Sequence, residues 1–293
     1  MIYAAIDIGS NAVRLLIQES VVLSKNNFYF KKIGLTRAPI RLGNDVFTIG
    51  YISTDNTEKI IKAFKLLMEV NNVYYFRACA TSAMRESING KDVVKKILTN
   101  TGIKIDLIPG KEEADLIFST FHLAELDNNT NYIYIDVGGG STELTIIKDN
   151  KRIAAKSFKI GSVRVLKNNV DDQVWPTIYN WIKDQHVESE LFTAIGTGGS
   201  INKIYSLSTQ KFKDPISITE LKEVVKHIAS YCFDDRIRKL ALKPDRADVI
   251  VPSGDIYAKV MDAFNAKKMI VPKVGLADGI IYNLFLNNEM NLI

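Results

Sequence analysis

Cysteine is scarce: the chain has two, Cys79 and Cys232, far apart in sequence and without a C-x-x-C pair. That argues against a disulfide scaffold or a thiolate metal site and fits a reducing cytoplasm. Histidine is nearly as rare, and His122, His186 and His227 show no ligand spacing, so each reads as an ordinary surface or core residue. No apolar run approaches the roughly 18 residues that a membrane span needs. The apolar start lacks a basic n-region and carries Asp7 and Arg14, so a secretory leader is not expected. Neither sign of charge dominates: the formal net charge of +5 permits an anionic partner without requiring one. Neither a nucleic acid nor a membrane is expected as a partner.

What is present suits a soluble globular protein. The 293 residues are 46% hydrophobic and 24% charged, and the length suggests about two domains. Setting residue 3 onward beside residue 132 onward reveals a repeat. "YAAIDIGSNAVRLLI" lies over "YIYIDVGGGSTELTI" without a gap, with Asp7 on Asp136, Gly9 on Gly138, Arg14 on Glu143 and Leu15 on Leu144. Each copy reads as a buried strand ending in an aspartate, a glycine turn and a second strand, the pattern of a β-hairpin. The offset is close to the size of a domain, so two similar domains are implied, each opening with the same hairpin.

The rest of the chain alternates strand and helix. In the first half Ser53 and Thr54 offer N-caps to a helix with Ile60, Ile61, Phe64, Leu67 and Met68 on one face. A strand through Val73 to Ala80, a helix "KDVVKKILTNTG" closed by Gly102, a strand "IKIDLIP" and a helix "KEEADLIFSTFHLAEL" follow. After the second hairpin come a strand near Ile153 to Phe158, a helix at "WPTIYNWIKDQ", the strand "LFTAIGTGG" and the helix "ITELKEVVKHIASY". Such alternation predicts an α/β fold in which mixed sheets are covered by helices. The polar stretch "LDNNTN", Leu126 to Asn131, is the natural linker, which divides the chain into domains 1–126 and 127–293.

Three glycine-rich turns end apolar strands: "DIGSN", "DVGGGST" and "IGTGGS". A glycine turn exposes backbone N–H groups that can wrap phosphate oxygens, and serine and threonine hydroxyls add donors. The candidates are Ser10, Asn11 and Arg14 in the first, Gly138, Gly139, Gly140, Ser141 and Thr142 in the second, and Gly198, Gly199 and Ser200 in the third. Carboxylates beside such a cradle suit Mg²⁺, a hard cation held by one or two carboxylates plus substrate phosphates. Asp7, Asp136 and Glu143 are the metal candidates, and facing hairpins would set Arg14 and Glu143 as opposite charges, one toward phosphate and the other toward metal.

The ordered stretches "DIGSNAVRLLI", "RLGNDVFTIG", "ATSAMRESIN", "IPGKEEADLIF", "IDVGGGSTEL", "AIGTGGSINKI" and "DRADVIVPSG" resemble the motif set of the exopolyphosphatase and guanosine pentaphosphate phosphohydrolase family. The likeness runs from residue 4 to about residue 282. It implies two ribonuclease-H-like domains of the actin, heat-shock chaperone and sugar-kinase superfamily, with an interdomain cleft. It also implies hydrolysis of a terminal phosphate from inorganic polyphosphate or of the 5′ γ-phosphate from guanosine pentaphosphate. By the same resemblance Glu113 is the catalytic glutamate, Asp136 and Glu143 hold Mg²⁺ and the attacking water, and Arg85 binds phosphate. Physical chemistry offers a plainer use for Glu113, since an acid in the first turn of a helix favours the dipole. The short, two-domain form is expected. Ala277 stands where the family usually has arginine, so any contact of that arginine is in question.

Two rival readings remain at this level: an ATP-dependent kinase of the same superfamily, and a non-catalytic sensor or actin-like assembly protein that binds a nucleotide without turnover. The basic stretch "FDDRIRKLALKPDR" could guide a polyanion or form a solvated helix face. The apolar tail "GIIYNLFL" admits two uses, a core helix or part of a homodimer face.

Overall fold

The apolar run at the N-terminus becomes strand β1 (Ile2–Ile8), which turns through Gly9–Ala12 into the antiparallel β2 (Val13–Ser24). The computed structural model describes residues 1–290 apart from 25, 26, 54, 55, 124, 125, 128, 129, 188, 189 and 212. The chain divides into two compact units, Met1–His122 with Gly275–Ile293, and Leu123–Val274.

In the first unit β3 (Asn27–Ala38), α1 (Leu42–Ile49), α2 (Asn56–Val70), β4 (Tyr75–Ala80), α3 (Ser82–Glu86), α4 (Gly90–Thr101), β5 (Ile105–Leu107) and α5 (Gly110–Ser119) follow the hairpin. The sheet order is β3-β2-β1-β4-β5, with β1, β4 and β5 parallel. Residues Tyr3 to Ile8 of β1 are nearly all buried, as befits a central strand covered on both faces. On α2 the buried stripe is narrower than the apolar spacing suggests: Ile61, Phe64 and Met68 face inward, whereas Leu67 is exposed. Ser53 does not cap this helix, because its hydroxyl donates to Asp45; Thr54 lies outside the described residues. Gly102 closes α4 in a left-handed conformation, φ 72°, and its N–H returns to the Leu98 carbonyl. Helix α5 stops earlier than the sequence suggests. The hydroxyls of Ser119 and Thr120 donate back to the carbonyls of Leu116 and Ile117 at 2.6 and 2.7 Å, and a 3-10 turn, Thr120–Leu123, takes over.

The second unit repeats the plan with β6 (Tyr132–Val137), β7 (Thr142–Lys148), β8 (Lys151–Phe158), α6 (Ser162–Leu166), α7 (Val174–Asp184), β9 (Thr193–Thr197) and α8 (Gly199–Leu207). It continues through β10 (Ile216–Ser217), α9 (Ile218–Ala229), α10 (Phe233–Lys239), α11 (Pro244–Ala247), α12 (Ile250–Ala263) and β11 (Lys268–Ile270). Its order is β10-β11-β9-β6-β7-β8. Read from the other end, this is the first sheet strand for strand with β10 added: β8, β7, β6, β9 and β11 stand for β3, β2, β1, β4 and β5. The aligned repeat keeps its pairing, since Asp7 lies opposite Arg14 and Asp136 opposite Glu143.

The end of the chain departs from the expected second domain of 127–293. Helix α13 (Leu276–Phe285) belongs to the first unit, where it crosses β1, β2 and β4 and packs on α5. Aromatic packing draws it there: Phe285 meets Tyr3, Phe28 and Phe30, with ring centroids 6.4, 4.7 and 5.3 Å apart. The apolar tail is thus a core helix. Its entry is fixed by Asp278, which accepts the Gly275 N–H at 3.0 Å and the Gln18 amide at 3.2 Å. Ala277, where the family resemblance expects arginine, is buried in the first turn.

Helices α13 and α5 touch through Gly279, where an added Cβ would lie 1.9 Å from the Leu116 carbonyl oxygen. Backbone cannot yield as a flexible side chain does, so Gly279→Ala is expected to cost about 1–3 kcal/mol. Urea unfolding measures this; an unchanged midpoint would show that the helices do not meet so closely.

Candidate functional site

In both units the chemistry-bearing residues gather where the parallel strands end, the edge at which open α/β sheets bind ligands. In the first unit these are the ends of β1, β4 and β5. The β1–β2 turn is closed by the Gly9 N–H donating to the Ala12 carbonyl at 3.1 Å. It is held against α1, with the Gly43 and Arg41 N–H groups donating to the carbonyls of Ser10 and Asn11. Ser10 is buried, its hydroxyl 2.8 Å from that of Ser82 at the start of α3. Asp7 is 4% exposed and takes the Arg14 guanidinium at 2.9 Å. Burial raises the Asp7 pKa, against the opposing pull of Arg14 and Arg37. Arg37 is the β3 partner of Arg14 and extends the same row.

Glu112 and Glu113 share the first turn of α5, yet they are used differently. Glu112 pairs with Arg77 at 2.6 Å, a guanidinium that also binds Asp106. Glu113 is 7% exposed and lies 3.6 Å from Arg85, whose Nη1 also donates to the Ile108 carbonyl at 2.6 Å. An acid that serves only a helix dipole has no reason to be buried beside an arginine. The structure therefore brings Glu113 and Arg85 together, at the ends of β4 and β5.

In the second unit Asp136 and Glu143 are directly opposed on β6 and β7. Like charges so placed are destabilising unless other groups offset them. Two hydroxyls contribute: Thr197 donates to Asp136 at 2.8 Å and Ser157 donates to Glu143, which is 3% exposed, at 2.8 Å. The two rows across the duplicated sheets, Arg37–Arg14–Asp7 and Ser157–Glu143–Asp136, hold matching positions with opposite charge balance. Among the described residues no group of three or more His, Cys, Asp or Glu side chains converges as a metal cage.

The triple glycine beside this pair answers to close packing. Its carbonyls turn toward α6: Ser162 N–H reaches Gly138 at 3.0 Å, Val163 and Arg164 N–H reach Gly139 at 2.8 and 3.0 Å, and Arg164 Nε reaches Gly140 at 2.9 Å. A Cβ on Gly161 would lie 2.5 Å from the Gly139 carbonyl carbon, so glycine is required there for the two backbones to meet. With the carbonyls so engaged, the N–H groups of Gly139, Gly140 and Ser141 donate to no protein acceptor among the described residues. Thr142 departs from the expected phosphate contacts: it is fully buried and its hydroxyl donates to the Ile160 carbonyl at 2.6 Å, fastening the loop from behind.

The third loop opens α8. Gly198 has φ 109° and ψ 163°, a region essentially closed to other residues, and an added Cβ would lie 3.1 Å from Asp136 Oδ1. The first-turn N–H groups at Gly199 and Ser200 have no helical partner. The basic stretch of α10 is largely structural: Arg236 binds the carbonyls of Ile228, Tyr231 and Ala247, and Lys239 pairs with Asp235 at 3.0 Å. Motif reading missed Ser82, Arg37, Ser157 and Thr197, each of which meets its partner across the sheet or from another loop. The aligned hairpins end before β3 and β8, so Arg37 and Ser157 become third members of the rows only once the sheets form.

A duplicated mixed sheet with paired glycine turns at its parallel edge defines the ribonuclease-H-like, actin-like ATPase class of fold. More narrowly, the chain belongs to the Ppx/GppA phosphatase family, whose model matches residues 21–288. A bifunctional 3-dehydroquinate synthase/phosphatase from Fusobacterium nucleatum is 28% identical over 92% of this chain and 44% of its own length. A guanosine-5′-triphosphate,3′-diphosphate pyrophosphatase from Photobacterium profundum is 24% identical over 97% of this chain and 59% of its own. The chain thus spans about half the length of these relatives. A solved structure of an exopolyphosphatase from Cytophaga hutchinsonii superposes with a TM-score of 0.82 at 20% identity, covering 99% of both chains. No helix among the described residues is long and apolar enough to cross a membrane.

Gly198→Ala is expected to cost roughly 1–3 kcal/mol from its backbone conformation alone, and it also crowds Asp136. The melting temperature should fall. A wild-type melting temperature would show that this turn is not strained.

Proposed function

We propose that this chain hydrolyses a terminal phosphoanhydride, releasing phosphate from inorganic polyphosphate or the 5′ γ-phosphate from guanosine pentaphosphate, with Mg²⁺. The observation that carries the reading is the opposed Asp136–Glu143 pair beside the outward N–H groups of the triple glycine. Two carboxylates with adjoining hydroxyl oxygens form a hard, all-oxygen donor set, which fits Mg²⁺ completed by water and substrate phosphates. When bound, the ion would neutralise charge developing on the bridging oxygen as the terminal P–O bond breaks. Asp7, engaged by Arg14 at 2.9 Å, is the metal candidate of the first unit.

The protein's own groups supply the rest. Backbone N–H groups at Gly139, Gly140, Ser141, Gly199 and Ser200 hold phosphoryl oxygens, while Gly138, Thr142 and Gly198 shape the loops that present them. Ser10, Asn11, Arg14 and Arg85 are the first unit's candidate donors to phosphate oxygens. Glu113 orients the attacking water and takes its proton as the oxygen bonds to phosphorus; the pair of electrons in the broken bond leaves with the shortened chain. Water needs no acceptor pocket, whereas a kinase needs a base beside a substrate hydroxyl. The names of the relatives support a phosphatase, and both candidate substrates present the same terminal bond. Two free cysteines, one of them buried, agree with a reducing cytoplasm as the working compartment.

The protein, with Mg²⁺, is incubated separately with polyphosphate, guanosine pentaphosphate, and ATP plus candidate acceptors. Free phosphate is expected from one or both of the first two. Consumption of an acceptor with ATP alone would overturn the proposal in favour of a kinase, and binding without release in favour of a sensor. Glu113→Gln is expected to lower kcat by about a hundredfold or more. Glu112→Gln, which loses only the pairing with Arg77, should stay within a few-fold of wild type. Equal behaviour of the two variants would remove Glu113 from the chemistry.

A further inference from the structure

The two glycine loops of the second unit sit at the ends of β6 and β9, and what holds those strand ends together is not the sheet alone. The parallel pair opens with the Thr193 N–H donating to the Asn131 carbonyl at 2.9 Å, and its register ends at Asp136 opposite Thr197. Alternating along that ladder, the last rung would join the Val137 N–H to the Thr197 carbonyl. The hydroxyl of Tyr257, from α12, bridges those same two groups: it accepts the Val137 N–H at 3.1 Å and donates to the Thr197 carbonyl. Tyr257 is fully buried. The side-chain hydroxyl of Thr197 in turn donates to Asp136 Oδ1 at 2.8 Å. A Cβ on Gly198 would lie 3.4 Å from the Tyr257 oxygen, so the third glycine loop is packed against the same point.

We propose that Tyr257 is a positioning residue for the phosphate site: its hydroxyl, set in the last rung between β6 and β9, fixes the spacing of the two glycine loops and, through Thr197, the aim of the Asp136 carboxylate. A phenol suits this place because one oxygen donates and accepts at once while the ring is held rigidly in the core. Burial, reinforced by the nearby charge of Asp136, raises the phenol pKa well above its usual value, so the donor keeps its proton at neutral pH. Without the hydroxyl, a buried N–H and a buried carbonyl must meet each other directly or go unpaired, and either course moves the loops.

This inference rests on the hydrolase reading for its kinetic arm only, so the test has two arms. In amide hydrogen exchange of the unliganded protein, the Val137 N–H should be protected like core amides while Gly139 and Gly140 exchange fast; Val137 exchanging as fast as Gly139 in the wild type would refute the clamp without any variant. Tyr257→Phe, which conserves volume, should raise exchange through Val137–Ser141 and Thr197–Ser200. It should also lower kcat about 10–100-fold with KM little changed, the range for groups that orient a ligating side chain. Tyr205→Phe is the control, since that buried phenol also loses carbonyl contacts, one of them to Asp214 at 2.7 Å, away from the glycine loops. It should lower the melting temperature and leave kcat near wild type. Equal loss of kcat in the two variants, or unchanged loop exchange in Tyr257→Phe, would overturn the proposal. A wild-type protein that releases no phosphate defeats the functional reading instead, and the exchange arm still decides the clamp.

Discussion

One charge sets the two copies of the hairpin apart. Position for position, Arg14 faces Asp7 in the first copy and Glu143 faces Asp136 in the second. The first pair is an internal ion pair at 2.9 Å, so its charges cancel inside the unit. The second sets two carboxylic side chains directly opposite each other, which is destabilising unless other groups offset it. Hydroxyls from Ser157 and Thr197 offset part of this. On the proposed reading a divalent ion would be held at this pair. One exchange of charge thus gives the two copies of the hairpin unlike edges, an arginine–aspartate pair in the first and two acidic residues in the second.

The triple glycine follows from the same requirement. A loop that presents N–H groups outward must dispose of its carbonyls inward, and here the backbone of α6 and the buried guanidinium of Arg164 accept that task. A side chain at Gly161 would hold the two backbones apart, because its Cβ would lie 2.5 Å from the Gly139 carbonyl carbon. Glycine at position 161 is therefore explained by packing against the loop, whereas Gly198 is explained by its positive φ. Thr142 belongs to the same arrangement, its hydroxyl spent on holding the loop down.

The parts of this design that were legible in the sequence are the local ones. Strand, aspartate, turn and strand lie within fifteen residues, so the hairpins and their repetition can be read directly. Glu112 and Glu113, by contrast, are indistinguishable in the sequence except by family resemblance; their division of labour depends on Arg77 and Arg85 arriving from β4 and α3. Ser82 and Tyr257 escaped for the same reason, since each meets its partner only after the sheet has formed. The sequence also does not show that the Thr142 hydroxyl donates to the Ile160 carbonyl, a partner eighteen residues away.

The return of α13 shows the same limit at the scale of the chain, and magnitudes explain why its composition looks as it does. In the second unit α12 packs on β6 before the chain leaves, whereas β1 in the first unit receives α13 from the far end. The contact of Gln18 with Asp278 spans 260 residues, and closing a flexible loop of that length would cost roughly 5 kcal/mol. Ile280, Ile281 and Phe285 are all fully buried, and each contributes about 1.5–3 kcal/mol on burial. Three such side chains, about 4.5–9 kcal/mol together, match or exceed the closure term; one would not. A helix that must come back across most of the chain therefore has to be apolar beyond a single narrow stripe, and that is the character that made "GIIYNLFL" readable as a buried surface while leaving its destination open.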